Sequence, residues 1–284
     1  MRILILGASG MLGNAMLKVF AEKTEWEVFG TLRNNNHKLR SLVPATVCLL
    51  DGVQVEQDSS LMSAFIQGRP DVVVNCIGLV KQLADADDPL QAVPINTLLP
   101  HRLARLCELS GARLIHMSTD CVFSGMRGNY SESDVPDALD LYGRSKLLGE
   151  LDYPHTLTLR TSIIGHELNS AHGLVNWFLS QHGQCKGYRR SIFSGLPTVI
   201  LAQMIRDIVI PRGDLNGIYH VAANVISKYD LLKLIADVYK KDIRIEPDDE
   251  VAIDRSLNGA RFLETTGYTA PGWRKMIETM HTYQ

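Results

Sequence analysis

Tyr142 and Lys146 stand four residues apart in LDLYGRSKLLGE (139–150), a segment whose apolar spacing reads as the start of an amphipathic helix. Residues i and i+4 lie one above the other on a helix, so the phenol and the ammonium can both reach one small site. A phenol can hand a proton to a developing alkoxide, and a nearby cation lowers its pKa from the free value of about 10. Upstream, LIHMSTDCVFSG reads as a strand running into a loop, with Ser118, Thr119 and Asp120 at the strand's carboxyl end. A hydroxyl at that end can hold a carbonyl oxygen at a fixed distance from Tyr142. Thr119, Tyr142 and Lys146 are thus the set expected for reduction of a ketone, where the alkoxide needs a proton as the hydride arrives. The Tyr/Lys pair alone is also what a helix with a half-buried Tyr and a snorkelling Lys would show.

A hydride donor is readable at the N-terminus. RILILGASGMLG places Gly7, Gly10 and Gly13 at G-x-x-G-x-x-G spacing between an apolar strand and a helix. Missing side chains permit a tight turn and a close backbone approach, and the N–H groups around Ser9, Gly10, Met11 and Leu12 face a pyrophosphate. The second strand, in EVFGTLRNNNHK, has no acid at its carboxyl end to hold the ribose 2′-hydroxyl of NAD(H). Arg33 stands there instead, with a planar fork suited to a 2′-phosphate, so NADP(H) is expected ahead of NAD(H). Asp51, after the third strand in CLLDG, is placed to meet the adenine amino group and is equally a turn former. Cys76, Ile77 and Gly78 follow the fourth strand and would line the cofactor, with Ser118 beside the nicotinamide.

The elements that must position these residues alternate as short apolar runs and longer amphipathic segments. That pattern predicts an α/β fold, a doubly wound parallel sheet of the Rossmann type with helices on both faces. Residues 1–165 are expected to form the NADP-binding part. Residues 166–284 are expected to form mainly a smaller C-terminal substrate-binding lobe, interleaved with the sheet, laid over the carboxyl edge where ligands of such folds bind. With 284 residues, 45% hydrophobic and 21% charged, the composition is that of an ordinary globular protein. A net charge of −2 gives no footprint for nucleic acid or for an anionic membrane. The five scattered cysteines contain no C-x-x-C pair, which fits reduced thiols and a cytoplasmic location, and no apolar run reaches membrane-spanning length. The nine histidines show no metal-ligand spacing, so no metal is expected. His116, Ser118 and Asp120 have the composition of a hydrolase triad, but alternate residues of one strand stand roughly 6–7 Å apart, too far for a hydrogen-bonded relay.

The glycine turn, Ser118-Thr119-Asp120, Tyr142-x-x-x-Lys146 and LRTSIIG together resemble the extended short-chain dehydrogenase/reductase family. Within it, STDCVFSG followed by YGRSKLLGE is most similar to the dTDP-4-dehydrorhamnose reductases and their relatives acting on nucleotide sugars. The resemblance implies NADPH-dependent reduction of a nucleotide-linked 4-keto sugar, with Tyr142 as proton donor and Lys146 also holding the nicotinamide ribose. It implies Asp120 as a substrate contact and Asn96 as a tie between helix and active-site strand. A homodimer is also implied. Cys121 stands where the related dehydratases carry Glu, which argues against elimination of water. An epimerase uses the same Tyr and Lys and remains an alternative. So does a non-catalytic NADP-binding regulatory subunit, because the regulatory subunit of methionine adenosyltransferase resembles these reductases. In NCIGLVKQLADADDP, Lys81 and Gln82 are expected to face the substrate, with Lys81 toward a phosphate or carboxylate. Arg160, ahead of TSIIG, is expected to bind a substrate diphosphate or else to form a structural ion pair.

Overall fold

The computed structural model describes residues 1–79, 87–168 and 170–283. Its centre is a seven-stranded sheet built from β1 (Arg2–Leu6), β2 (Glu27–Thr31), β3 (Cys48–Leu50), β4 (Val72–Asn75), β5 (Arg113–Thr119), β6 (Thr156–Thr161) and a seventh strand, Gly217–His220. The order across the sheet is β3-β2-β1-β4-β5-β6 and then Gly217–His220, with every neighbouring pair parallel. The strand order reverses between β1 and β4, and at such a switch point the loops diverge and leave a crevice at the carboxyl edge.

The local chemistry accounts for these strands. Ile3, Leu4, Ile5 and Leu6 of β1 and Val73 and Val74 of β4 are fully buried, because helices cover both faces and both sets of side chains leave water. β6 is also buried along its whole length although it reads TLTLRT. Its hydroxyls are internally satisfied: Thr158 Oγ1 accepts from the Leu151 N–H and donates to the Leu151 carbonyl, both at 3.0 Å.

Helix α1 (Met11–Phe20) packs between the sheet and the helix Thr198–Met204, burying Met16, Leu17, Val19 and Phe20 in the same apolar cluster as Leu201, Ala202 and Ile205. The chain after residue 165 therefore adds a strand and a covering helix to the sheet. Its other strands form small sheets above the carboxyl edge. Ser191–Phe193 pairs with Ile226–Ser227 and Ile253–Asp254, and Gln184–Tyr188 pairs with Arg244–Asp248. Among the described residues no helix is long and apolar enough to cross a membrane.

Candidate active site

The turn from β1 into α1 is built by two close approaches. Gly7 has φ +81°, a region that side chains rarely adopt, and a Cβ there would stand 2.9 Å from Ile77 Cγ1. A Cβ on Gly13 would stand 2.2 Å from the Gly7 carbonyl oxygen, so only glycine lets the helix sit against the strand end. The helix begins at Gly10 without a side-chain cap, and its N-terminus opens on a cleft. Two cavities meet there and share Ser9, Gly10, Cys76, Ile77 and Gly78. One, of about 590 Å³, extends past Arg33 to Val53 and Val55; the other, of about 670 Å³, extends past Met11, Leu12 and Ser118 to Thr119, Tyr142 and Lys146. An uncapped helix N-terminus midway between two chambers is the arrangement a dinucleotide requires, with its pyrophosphate at the waist. The residues present thus fit the group.

The helix Leu141–Leu148 starts at Asp140, whose carboxylate caps it by accepting from the Gly143 N–H at 2.8 Å. That start turns Tyr142 and Lys146 into the cleft together. Lys146 is buried, and its Nζ donates to the Met117 carbonyl at 2.7 Å. Burial lowers its pKa to about 8, against an opposing pull from the Glu150 carboxylate. Burial likewise pushes the Tyr142 phenol well above its ordinary value, with the Cys121 thiol adding to the rise and a side-chain hydrogen bond with Thr119 opposing it. Tyr142 and Lys146 line the same chamber, and burial is the largest influence on the phenol's pKa. The Thr119 hydroxyl donates to Asp120 Oδ1 and accepts from the Cys121 N–H, both at 3.1 Å. Ser162 donates to the other Asp120 oxygen at 3.0 Å, and burial raises this carboxyl above the usual range. Burial pushes the Cys121 thiol up to about 12, which keeps it neutral and unreactive.

Behind the cleft lies a support layer. Asn96 sits in a wide π-helical turn, Val93–Leu98. Its Oδ1 accepts from the Leu79 N–H at 2.9 Å, and its Nδ2 reaches Ser145 Oγ at 3.2 Å and the Leu79 carbonyl at 3.3 Å. One amide thus ties the segment after β4 to the Tyr142 helix, a use of the widened turn at a functional position. His116 is buried and takes no part in a relay. Asn75 Nδ2, which can only donate, lies 3.1 Å from its Nδ1, and burial holds its pKa well below the ordinary histidine value.

For three expected contacts the structure shows which partners the side chains take. Arg160 does not face a substrate: it is 4% exposed, paired through two nitrogens with Glu150 at 2.7 and 2.8 Å, and stacked 5.3 Å from the Phe123 ring. Strand pairing sets Arg160 opposite Ser118, whose hydroxyl donates to the same Glu150 at 2.6 Å while the residue still lines the larger chamber. Asp51 is exposed and held by Arg40, and the chamber past Arg33 is lined by Val53 and Val55. Lys81 and Gln82 lie outside the described residues. Lys228 and Arg255, which no local pattern singles out, also line the larger chamber.

The family described as RmlD substrate binding domain matches residues 1–281. Methionine adenosyltransferase 2 subunit beta of Rattus norvegicus is 35% identical over 150 residues, 52% of this chain and 41% of that protein's length. The probable low-salt glycan biosynthesis reductase Agl14 of Haloferax volcanii is 30% identical over 169 residues, 56% of this chain and 52% of that protein. Among solved structures, dTDP-4-dehydrorhamnose reductase from Bacillus anthracis in complex with NADP superposes with a TM-score of 0.80 at 22% identity, covering 100% of this chain and 99% of that one. With its seven parallel strands, its glycine turn and a match over nearly its whole length, the chain belongs to the RmlD substrate binding domain family and has the extended short-chain dehydrogenase/reductase fold.

Proposed function

We propose that the protein is an NADPH-dependent reductase of a nucleotide-linked 4-keto sugar, with Tyr142 as proton donor. The observation that carries this reading is the convergence of Thr119, Tyr142 and Lys146 on one chamber that runs back to the glycine turn. The B. anthracis neighbour, solved with NADP, supports the cofactor. Gly7, Gly10, Met11 and Leu12 would hold its pyrophosphate, Arg33 its 2′-phosphate, and Lys146 its nicotinamide ribose. The bound cofactor supplies the hydride.

The chain's own residues do the rest. Burial keeps the Tyr142 phenol protonated at neutral pH, which is the form needed to quench an alkoxide. The Thr119 hydroxyl now points at Asp120, and turning that proton onto a substrate carbonyl leaves Asp120 still bonded by Ser162. Lys146 lies where it can release the Met117 carbonyl for a ribose hydroxyl without leaving the buried position that its helix fixes. A panel of UDP-, dTDP- and GDP-linked 4-keto sugars tests the reading through loss of reduced-nicotinamide absorbance. At least one sugar is expected to consume NADPH, and silence across the panel counts against it.

Two predictions belong to the cofactor itself. Arg33 is exposed, and among the described residues its ion-pair partner is Glu56 at 3.6 Å, so its fork is available to a phosphate. Arg33→Ala should weaken NADPH by about tenfold and leave NADH nearly unchanged, as expected for loss of a charge-assisted pair. Equal losses would make the residue structural. Lys146 has a folded pKa of about 8, so the ammonium that holds the ribose is present below that pH and is lost above it. NADPH affinity should therefore be flat below pH 8 and fall as pH rises through it. Lys146→Met should bind NADPH more weakly at neutral pH and lack that step. An unchanged pH profile in the variant, read by direct titration, would remove Lys146 from the cofactor site.

A second reading, a non-catalytic nucleotide-binding regulatory subunit, is favoured by the 35% identity to methionine adenosyltransferase 2 subunit beta. Both readings predict NADPH binding. Only the reductase predicts its consumption.

A further inference from the structure

Arg160 is sealed against Glu150, so an anionic group on a substrate must find its counter-charge elsewhere. Two cations face the substrate chamber. Lys228 is the first residue of the helix Lys228–Val238, and Arg255 follows the strand Ile253–Asp254; both line the chamber with Thr119, Asp120 and Tyr142. The Arg255 Nε donates to the Phe123 carbonyl at 2.8 Å, which anchors the guanidinium and leaves its terminal amino groups for something else. Among the described residues neither cation has a carboxylate at ion-pair distance, and Lys228 has no hydrogen-bond partner.

Nothing in the fold rewards this placement. A lysine in the first turn opposes the helix dipole, and burial of its amine, with the nearby Arg255 charge, lowers its pKa against the pull of the Asp120 carboxylate. The Asp120 carboxylate is already bonded by Thr119 and Ser162, and among the residues lining the chamber Lys146, Lys228 and Arg255 outnumber the carboxylates of Asp120 and Glu167. Other charged groups of the chamber are committed: Glu167 accepts from the Gly173 N–H at 2.7 Å and from Ser170 at 3.0 Å, and Lys146 donates to Met117. Both cations line the chamber that Thr119 and Tyr142 also line, so an anion held by them shares that chamber with the reacting groups.

We infer that Lys228 and Arg255 form an oxyanion-binding subsite that holds a phosphate or carboxylate of the substrate beside the carbonyl to be reduced. The inference rests on the reductase reading and narrows its substrate to one with an anionic group within a sugar ring's reach of the keto carbon. Diphosphate and ring carboxylate share this chemistry, and two pairs of probes separate them.

Calorimetric titration of the NADP-loaded protein with UDP against uridine, and with glucuronate against glucose, tests the subsite. The parent should prefer the anion in at least one pair by about tenfold, the size of one charge-assisted contact. Lys228→Met should abolish that preference, and Lys228→Arg should retain it. The UDP pair responding marks the diphosphate, and the glucuronate pair responding marks a ring acid. Arg255→Gln reads the other half of the subsite independently. No preference in the parent for either anion, or a preference that survives Lys228→Met, overturns the inference. The reductase reading fails separately: keto-sugar reduction without anion preference loses only the subsite, and anion preference without reduction loses only the reductase.

Discussion

Tyr142→Phe is expected to lower kcat by about 10²–10⁴-fold, the usual contribution of a placed general acid, while NADPH affinity changes by less than about twofold. Phenylalanine keeps the ring that the helix Leu141–Leu148 sets into the chamber, so packing and cofactor binding persist. It removes the one proton that burial stores at the reacting position. An interaction made only in the transition state lowers kcat and kcat/KM together, and that pattern is the expected signature. A rise in KM with kcat unchanged would show the hydroxyl to be a binding contact and end its assignment as the acid.

Arg160→Met is expected to destabilise the protein by about 3–5 kcal/mol, the cost of leaving one charge of a buried pair uncompensated. Arg160 and Glu150 are each 4% exposed, and the variant leaves the Glu150 carboxylate with only the Ser118 hydroxyl as a close donor. The double variant Glu150→Met/Arg160→Met should recover a large part of the loss, since apolar replacement of both partners is often near neutral. Urea unfolding measures both. A loss below about 1 kcal/mol in the single variant would mean that water reaches Glu150, and the support layer described here would not be a closed one.

The residues that sequence alone places well are those whose neighbours are local. Tyr142 and Lys146 share a helical face by spacing, and Gly7 and Gly13 announce a turn that no side chain permits. Thr119 follows from the end of an apolar run. Arg160 is different, because its meaning depends on what stands opposite. Glu150 was visible ten residues upstream, but only the β5–β6 register brings Ser118, Glu150 and Arg160 to one point. Asp51 likewise depends on a partner the local pattern does not show: Arg40, from the helix His37–Leu42, takes its carboxylate. The strand Gly217–His220 closes the main sheet as its seventh strand, a pairing between residues 217–220 and 157–160 that no periodicity encodes. Lys228 and Arg255 reach the chamber through contacts of still longer range, and a lysine at a helix start gives no signal beyond its awkward charge. Burial is also invisible locally, and it is the largest influence on both the Tyr142 phenol and the Lys146 amine.

Transfer of deuterium from NADPH labelled at the nicotinamide C4 to the keto carbon of a nucleotide sugar is the most direct test, with the parent and Tyr142→Phe run side by side in a single turnover. The predicted result is deuterium on the former carbonyl carbon of the product alcohol, formed by the parent at a rate at least about a hundredfold above the variant's. Label that never enters the sugar while NADPH is bound, or that enters equally fast in Tyr142→Phe, would contradict the assignment of this cleft as a reductase site with Tyr142 as its acid.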